Sequence, residues 1–263
     1  MQSRYFFLPL VISSLLLGVG CQPREQNTNT TQPQSNTQQP NIPIQTQPVE
    51  ANAGNCDNPY FPLRPGTKMS YKTHAAGRNS SFTWESRELT ADNVSLLYTF
   101  DGGLLLHSDF SCTSDGLIAQ SYLDMNSAMT GSVIKTKTTS STGTYLPKDL
   151  AIGKTWESAY EVETENENPE AARLGMKVSH MTLTIQNKVL SEESVTVPAG
   201  TFTALKVESK NVMKLKLSPT MPPIDNTFTS FSYYVRGKGL VKSTTEGKNG
   251  VNSDLEATEI IVP

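Results

Sequence analysis

From Cys56 to the C-terminus, apolar and polar residues alternate in short runs. The segment Ser81–Leu89 places Phe82 and Trp84 on one side, and Val94–Phe100 follows a polar turn. Runs of this kind, separated by Asp, Asn and Gly, indicate strands joined by tight turns. By the same pattern we predict strands at Leu104–Cys112, Leu117–Met125, Ser132–Thr139, Thr155–Glu163, Lys177–Leu190, Thr201–Leu215, Thr227–Arg236, Leu240–Thr245 and Leu255–Val262.

The short connections predict antiparallel pairing, because a parallel crossover needs a dozen or more residues. We therefore predict one all-β domain over residues 56–263, made of a single, strongly curved antiparallel sheet that forms a barrel or half-barrel. At most one short helix is expected. Asn168 suits its N-cap and Pro169 its first turn.

The first 21 residues have the pattern of an export signal. Arg4 precedes the almost wholly apolar run Tyr5–Gly20, which is shorter than the about 20 residues that span a bilayer, and Cys21 follows. Residues 1–20 are therefore predicted to be a lipoprotein signal peptide, with Cys21 as the site of lipid attachment. Lipoprotein signals usually have Leu where Gly18 stands, so an ordinary secretory signal and a retained anchor stay open.

Residues 21–55 are predicted to be a disordered tether behind the lipidated cysteine. From 22 to 54 the chain is almost entirely Gln, Asn, Thr and Pro, and its few charges are Arg24, Glu25 and Glu50. Such a segment has too little apolar surface to offset the entropy of folding. The predicted location is the cell envelope, on a membrane and facing the periplasm or the exterior.

The other two cysteines, Cys56 and Cys112, form an even pair in a chain predicted to be exported. Oxidising compartments favour a disulfide between such residues. Free or metal-bound thiols are the alternative, which the absence of a CxxC spacing disfavours.

The charge of the chain disfavours one class of partner. Its formal net charge is −3 at pH 7. Nucleic-acid binding calls for a basic face, so no nucleic-acid partner is predicted.

Three sequence blocks resemble a family of uncharacterised bacterial exported domains. They are the opening Tyr60–Tyr71 (YFPLRPGTKMSY), the turn Val197–Phe202 (VPAGTF) and the hairpin Tyr233–Lys242 (YYVRGKGLVK). Met69 departs from the family pattern, which has Trp there. The resemblance implies an antiparallel β fold in the cell envelope and brings no catalytic residues. In layout the chain is also similar to the lipoprotein-carrier half-barrels, whose curved sheet wraps a lipid-binding cavity.

Residues that could support catalysis or metal binding are few. Of the three histidines, His107 has an acidic neighbour on its own strand face, Asp109, whereas Ser108 points to the opposite face. Glu161, Glu163, Glu165 and Glu167 recur at every second position and could clasp calcium, although a solvated strand end explains them as well. We predict no catalytic residues, no metal site and no cofactor.

A Pro-rich segment, Leu215–Thr227, has the composition of a binding loop. Leu215, Met221 and Ile224 are candidate lip residues over a cavity, and a plain connection is the alternative. The leading functional prediction is non-catalytic binding of an apolar ligand or lipid inside the curved sheet. The alternative is a structural or assembly lipoprotein that binds an envelope protein, and a hydrolase comes third.

Overall fold

A computed structural model describes residues 54–75, 77–122, 124–129, 132–247 and 252–263 of the chain. The predicted signal peptide, Cys21 and all but the end of the predicted tether lie outside these residues. The strands are β1 Asp57–Asn58, β2 Phe61–Pro62, β3 Lys68–Ala75, β4 Arg78–Leu89, β5 Asn93–Phe100, β6 Leu105–Cys112, β7 Gly116–Ala119, β8 Met125–Met129, β9 Ser132–Gly143, β10 Leu146–Pro147, β11 Thr155–Asn166, β12 Val178–Val197, β13 Gly200–Lys216, β14 Ile224–Val235, β15 Gly239–Gly247 and β16 Asn252–Ile261.

Fourteen strands form one sheet in the order β10-β7-β6-β5-β4-β3-β16-β15-β14-β13-β12-β11-β9-β8, and β1 and β2 form a small second sheet. Every described strand pair is antiparallel, as the short connections predicted. Strands β3 and β16, from opposite ends of the domain, pair in the middle of the sheet. The all-β prediction is confirmed.

The sheet is curled, and in the part of the chain that the structure describes it does not close into a continuous barrel. Its two ends approach each other at a few points. The His107 amide on β6 donates to the carbonyl of Asp124 at 3.5 Å, and the Ser141 hydroxyl on β9 donates to the carbonyl of Ala119 on β7. The curl gives the sheet a concave inner face that holds the core.

Period-two alternation directs the apolar side chains to this inner face. Along β5, Val94, Leu96, Tyr98 and Phe100 are all buried. Neighbouring strands then bring aromatic rings together, with Phe82 5.1 Å from Tyr71 and 5.0 Å from Phe100 between ring centroids. Because cross-strand aromatic pairs stabilise a sheet beyond their buried area, this half of the inner face is firmly packed.

Strand β12 continues well beyond the Leu190 end that the sequence predicted. The structure carries it to Val197 through a register shift between Val189 and Ser191. The polar residues that follow Leu190 resemble a turn in sequence, but they pair with β13 on the far side of the shift. The hairpin after Val197 is tight, since Val197 pairs directly with Gly200.

The predicted strand Leu117–Met125 is divided in the structure. Strand β7 ends at Ala119 because the Gln120 amide donates to the Asp109 carbonyl at 2.7 Å and the Ser121 hydroxyl accepts from the Asp109 amide at 2.7 Å. These bonds turn the chain across the open side of the curl, and β8 starts only at Met125.

The one α-helix among the described residues is α1, Pro169–Arg173. Asn168 caps it by accepting a hydrogen bond from the Glu170 amide at 2.9 Å, and Pro169 occupies the first turn, as the sequence predicted. Gly175 follows with a φ of 70°, a left-handed conformation that favours glycine after a helix end. No described helix has both the length and the apolar character to cross a membrane.

Cys56 and Cys112 are joined by a disulfide, with Cα atoms 4.9 Å apart. Cys56 ends a short 3-10 helix, Gly54–Cys56, and Cys112 ends β6. Both residues are buried in the core. The bond therefore ties the first described residues to the inner face of the sheet.

Candidate functional site

The structure places His107 and Asp109 on the outer face of β6 and Ser108 on the inner face. The Asp109 carboxylate accepts hydrogen bonds from the hydroxyls of Ser95 and Ser121, and His107 is not among its partners. Since His107 and Ser108 lie on opposite faces of the sheet, the three residues do not assemble a nucleophile with a base.

Three of the four alternating glutamates have basic partners nearby. Glu163 lies 3.7 Å from His180, Glu165 lies 3.8 Å from Lys177, and Glu167 lies 2.6 Å from Lys135. Exposed pairs of this kind each contribute little stability. Within the described ranges no group of three or more potential metal ligands occurs.

The candidate lip residues are not in the wall of the cavity described below. Leu215 lies near the end of β13 and pairs with Ile224, the first residue of β14. Met221, in the turn between these strands, is 39% exposed. Residues 215–216 and 224–227 of this segment are therefore hairpin strand, and residues 217–223 connect the two strands.

A partly open cavity of about 150 Å³ lies inside the curl. Its wall follows nine neighbouring strands from β5 round to β11, and Tyr122 and Tyr145 complete it from the connecting segments. The lining residues are Tyr71, Phe82, Trp84, Tyr98, Tyr122, Tyr145, Trp156, Ser158, Ile185, Asn187, Ser209, Asn211, Ser230, Ser232, Tyr234, Leu240, Ser243 and Leu255.

Aromatic side chains supply one part of this lining. Phe82 and Trp84 come from β4, with Tyr71 and Tyr98 on the strands either side. Trp156, at the start of β11, is held in place because its indole Nε1 donates to the Tyr145 carbonyl at 3.2 Å. Tyr71 and Phe82 stack on each other and Trp84 stacks on Phe61, so one face of each of these rings is already covered. The rings make this part of the lining apolar, and it can pack against flat or apolar ligand groups.

A second part of the lining is polar, and we call it the polar wall. It consists of seven side chains from β11 to β15: Ser158, Asn187, Ser209, Asn211, Ser230, Ser232 and Ser243. Three of them lie side by side, since Asn187 pairs with Ser209, which pairs with Ser230. Their amide and hydroxyl groups therefore line the inside of the curl.

Hydrogen bonds hold part of the polar wall in a fixed arrangement. The Ser209 hydroxyl donates to Asn187 Oδ1 at 2.7 Å, and Asn211 Nδ2 lies 2.9 Å from the Ser209 carbonyl and 3.2 Å from Ser230 Oγ. Because a carbonyl oxygen can only accept, these contacts fix which end of the Asn211 amide is the donor. Among the described residues, Asn187 Nδ2 and Asn211 Oδ1 have no hydrogen-bond partner.

The lining carries no Asp, Glu, Lys, Arg or His side chain among the described residues. Its tyrosines also stay uncharged, because burial raises the pKa of Tyr234 to about 12 and raises the pKa values of Tyr71, Tyr98, Tyr122 and Tyr145 above the ordinary value. The cavity is thus electrically neutral at physiological pH, and its lining combines aromatic rings with hydrogen-bonding groups.

Sequence reasoning missed the polar wall, although a signal for it exists. Residues two apart on a strand share a face. Once Val207 and Met213 of β13 are recognised as core residues, Ser209 and Asn211 between them must also point inward.

Comparison with known proteins identifies relatives by sequence and by fold. The model of a family described as DUF3108-like matches residues 85–254, more than half of the chain, and this range contains the whole polar wall. No curated protein matches the chain.

Three solved structures from bacteria are similar in shape. A protein from Bacteroides fragilis, described as exported with a YmcC-like fold, is 13% identical with a TM-score of 0.51, over 78% of this chain and all of that one. A predicted lipoprotein from Parabacteroides distasonis is 17% identical with a TM-score of 0.49, over 78% of this chain and 99% of that one. The hypothetical lipoprotein YmcC from Escherichia coli K12 is 9% identical with a TM-score of 0.41, over 76% of this chain and 86% of that one. The likeness to the Bacteroides fragilis protein supports a shared fold.

Proposed function

Because the chain belongs to the DUF3108-like family and holds a neutral cavity inside its curled sheet, we propose that it is a non-catalytic binding protein for an uncharged ligand. The observation that carries the proposal is the make-up of the cavity lining. A protein that needed only stability would fill this space with apolar side chains, because buried polar groups cost free energy unless they are paired.

The size of the cavity limits the part of the ligand that it encloses. A cavity of similar volume, about 150 Å³, accommodates benzene in another protein, and drug-sized pockets begin at about 300 Å³. The enclosed part is therefore about the size of one six-membered ring. Since the cavity is partly open, the rest of a larger ligand, such as a lipid, would extend outside it.

The location forms part of the proposal. The predicted signal peptide and Cys21 support an exported protein that is attached to a membrane by lipid, and the solved proteins of similar shape are described as exported or as lipoproteins. An acyl anchor gains about 0.8 kcal/mol per buried methylene, so two or more chains hold a protein stably on a membrane. The domain would then bind its ligand close to the membrane surface.

Binding to an envelope protein is the alternative, and it would call for a contiguous apolar patch. The large apolar side chains that the described residues expose come from six different segments: Leu105, Ile152, Leu174, Val212, Met221 and Ile261. We propose the cavity as the binding site because its lining combines aromatic rings with hydrogen-bonding groups.

Tryptophan fluorescence tests the proposal, because Trp84 and Trp156, the two tryptophans of the chain, both line the cavity. We expect benzyl alcohol to change the emission in a saturable way. Benzoate and benzylammonium have the same ring, and we expect each to bind at least about 100-fold more weakly, because a buried charge without a partner costs several kcal/mol. Equal binding of all three, or saturable binding of none, would contradict the proposal.

A further inference from the structure

The arrangement of hydrogen-bonding groups in the polar wall narrows the class of ligand. Trp156, Asn187 and Ser209 are paired across three successive strands, so a ring face, an amide and a hydroxyl lie next to one another. Adjacent strands are about 4.8 Å apart. This spacing lets one ring-sized ligand contact all three side chains.

The free groups of the wall comprise both a donor and an acceptor. Asn187 Nδ2 can donate and Asn211 Oδ1 can accept, and neither has a partner among the described residues. A ligand hydroxyl both donates and accepts, so hydroxyl groups match this pair. A hydrocarbon chain would leave both amide groups buried without partners, which makes it the poorer match.

In the connecting segments of the lining, the hydroxyls of Tyr122 and Tyr145 likewise have no hydrogen-bond partner among the described residues. Both rings line the cavity and are only half-buried. A ligand can therefore form hydrogen bonds with these two tyrosine hydroxyls as well as with the polar wall.

We infer that the cavity takes the pyranose ring of a neutral sugar, with a C–H face of the ring against the aromatic lining and its hydroxyls on Asn187, Ser209 and Asn211. A pyranose is one six-membered ring, carries no charge, and has apolar C–H faces together with hydroxyls at its rim. It meets the limits that the volume of the enclosed part, the neutrality and the mixed aromatic and polar lining impose. The inference rests on the proposed function and specifies its ligand class.

The test compares ring-matched probes on the full chain by calorimetry and tryptophan fluorescence. The probes are the methyl pyranosides of glucose, galactose and mannose, with cyclohexanol as a six-membered ring bearing one hydroxyl. We expect at least one pyranoside to bind at least tenfold more tightly than cyclohexanol, because a site with polar groups discriminates against ligands that leave them unpaired.

A pair of variants locates the binding in the polar wall. Asn187→Leu replaces the amide by an apolar group of similar size, and it is expected to weaken pyranoside binding by about tenfold while cyclohexanol binding is kept. Gln186→Leu is the matched control, since it makes the same change one residue earlier, on the exposed face of β12. It should leave both affinities unchanged. If Asn187→Leu fails to fold, the comparison of pyranosides with cyclohexanol on the unmodified protein still tests the sugar class.

The outcomes separate this inference from the proposed function. If cyclohexanol binds and no pyranoside does, the sugar class is overturned while binding of an uncharged ligand stands. If neither binds, the sugar class is overturned, and the benzyl alcohol titration then decides whether binding of an uncharged ligand stands. If the sugar binds, n-octyl β-glucoside below its micelle concentration distinguishes the source: much tighter binding than the methyl glucoside indicates a glycolipid, and equal binding indicates a free glycan.

Discussion

Removal of the Cys56–Cys112 disulfide is expected to lower the free energy of unfolding by about 4 kcal/mol. The two cysteines are 56 residues apart in sequence, and the chain-entropy relation gives about 4 kcal/mol for a loop of that length. Domains are typically stable by only about 5–15 kcal/mol. This one bond is therefore expected to supply a large share of the stability.

The variant that tests this expectation is Cys56→Ala with Cys112→Ala, which removes the bond without leaving a single unpaired thiol. Urea unfolding should show the loss of free energy, and the melting temperature should fall by about 10 °C. Dithiothreitol should destabilise the unmodified protein and leave the double variant unchanged. A loss below about 1 kcal/mol would show that the disulfide adds little to a fold that the sheet already determines.

Alkaline unfolding is the second large effect that we expect. Burial is the main cause that raises the pKa values of Tyr71, Tyr98, Tyr122, Tyr145, Tyr160 and Tyr234. In the unfolded chain a tyrosine has a pKa of about 10. The folded protein thus keeps these protons to a higher pH than the unfolded chain does.

The direction of the effect follows from these values. Below about pH 10 these tyrosines are protonated in both the folded and the unfolded state, and their contribution to stability is fully present. As the pH rises above 10, the tyrosines of the unfolded chain lose their protons first, so the free energy of unfolding falls. Each of these tyrosines contributes up to about 1.4 kcal/mol per pH unit. Six of them together approach the whole stability of a typical domain near pH 11.

We therefore expect a single cooperative transition near pH 11, in which tyrosinate absorbance appears as the β-sheet circular dichroism is lost. Tyr145→Phe removes one such group, and its hydroxyl has no hydrogen-bond partner among the described residues, so the midpoint should move upward. Gradual tyrosine titration around pH 10 with an intact sheet would show that these side chains are open to water.

Most of the strands could be predicted because each one carries its own period-two pattern. Val94–Phe100 alternates over its whole length, and the structure places β5 there with one added residue, Asn93. The helix could be predicted for the same reason, since its start depends on two neighbouring residues, Asn168 and Pro169. Features that depend on neighbouring residues are thus accessible from one sequence.

Features that depend on distant pairing were not accessible. The length of β12 depends on its pairing with β13 beyond the register shift, and the end of β7 depends on hydrogen bonds to Asp109 on β6. The two-residue strand β10 has no periodicity of its own and exists because it pairs with β7. Sequence periodicity cannot show which strands become neighbours.

The cavity escaped prediction for a related reason. Serine and asparagine on a strand usually face solvent, so the sequence alone predicts that Ser230 and Ser232 are exposed on the outer face of the sheet. Here the curl of the sheet brings them into the same cavity lining as Trp84, a residue far away in sequence. The composition of Leu215–Thr227 indicates a lip, whereas most of the residues that line the cavity lie on the strands.

Native mass spectrometry of the full chain, purified from the membrane fraction with no ligand added, tests the central claim most directly. The matched pair of variants is Ser232→Phe, which fills the cavity from β14, and Thr229→Phe, which adds the same ring on the opposite face of that strand. The intact mass also reports whether lipid is attached at Cys21. We predict that the unmodified protein and Thr229→Phe carry an uncharged small molecule and that Ser232→Phe does not. A bare protein in all three cases, still bare after incubation with an extract of the envelope, would contradict the account.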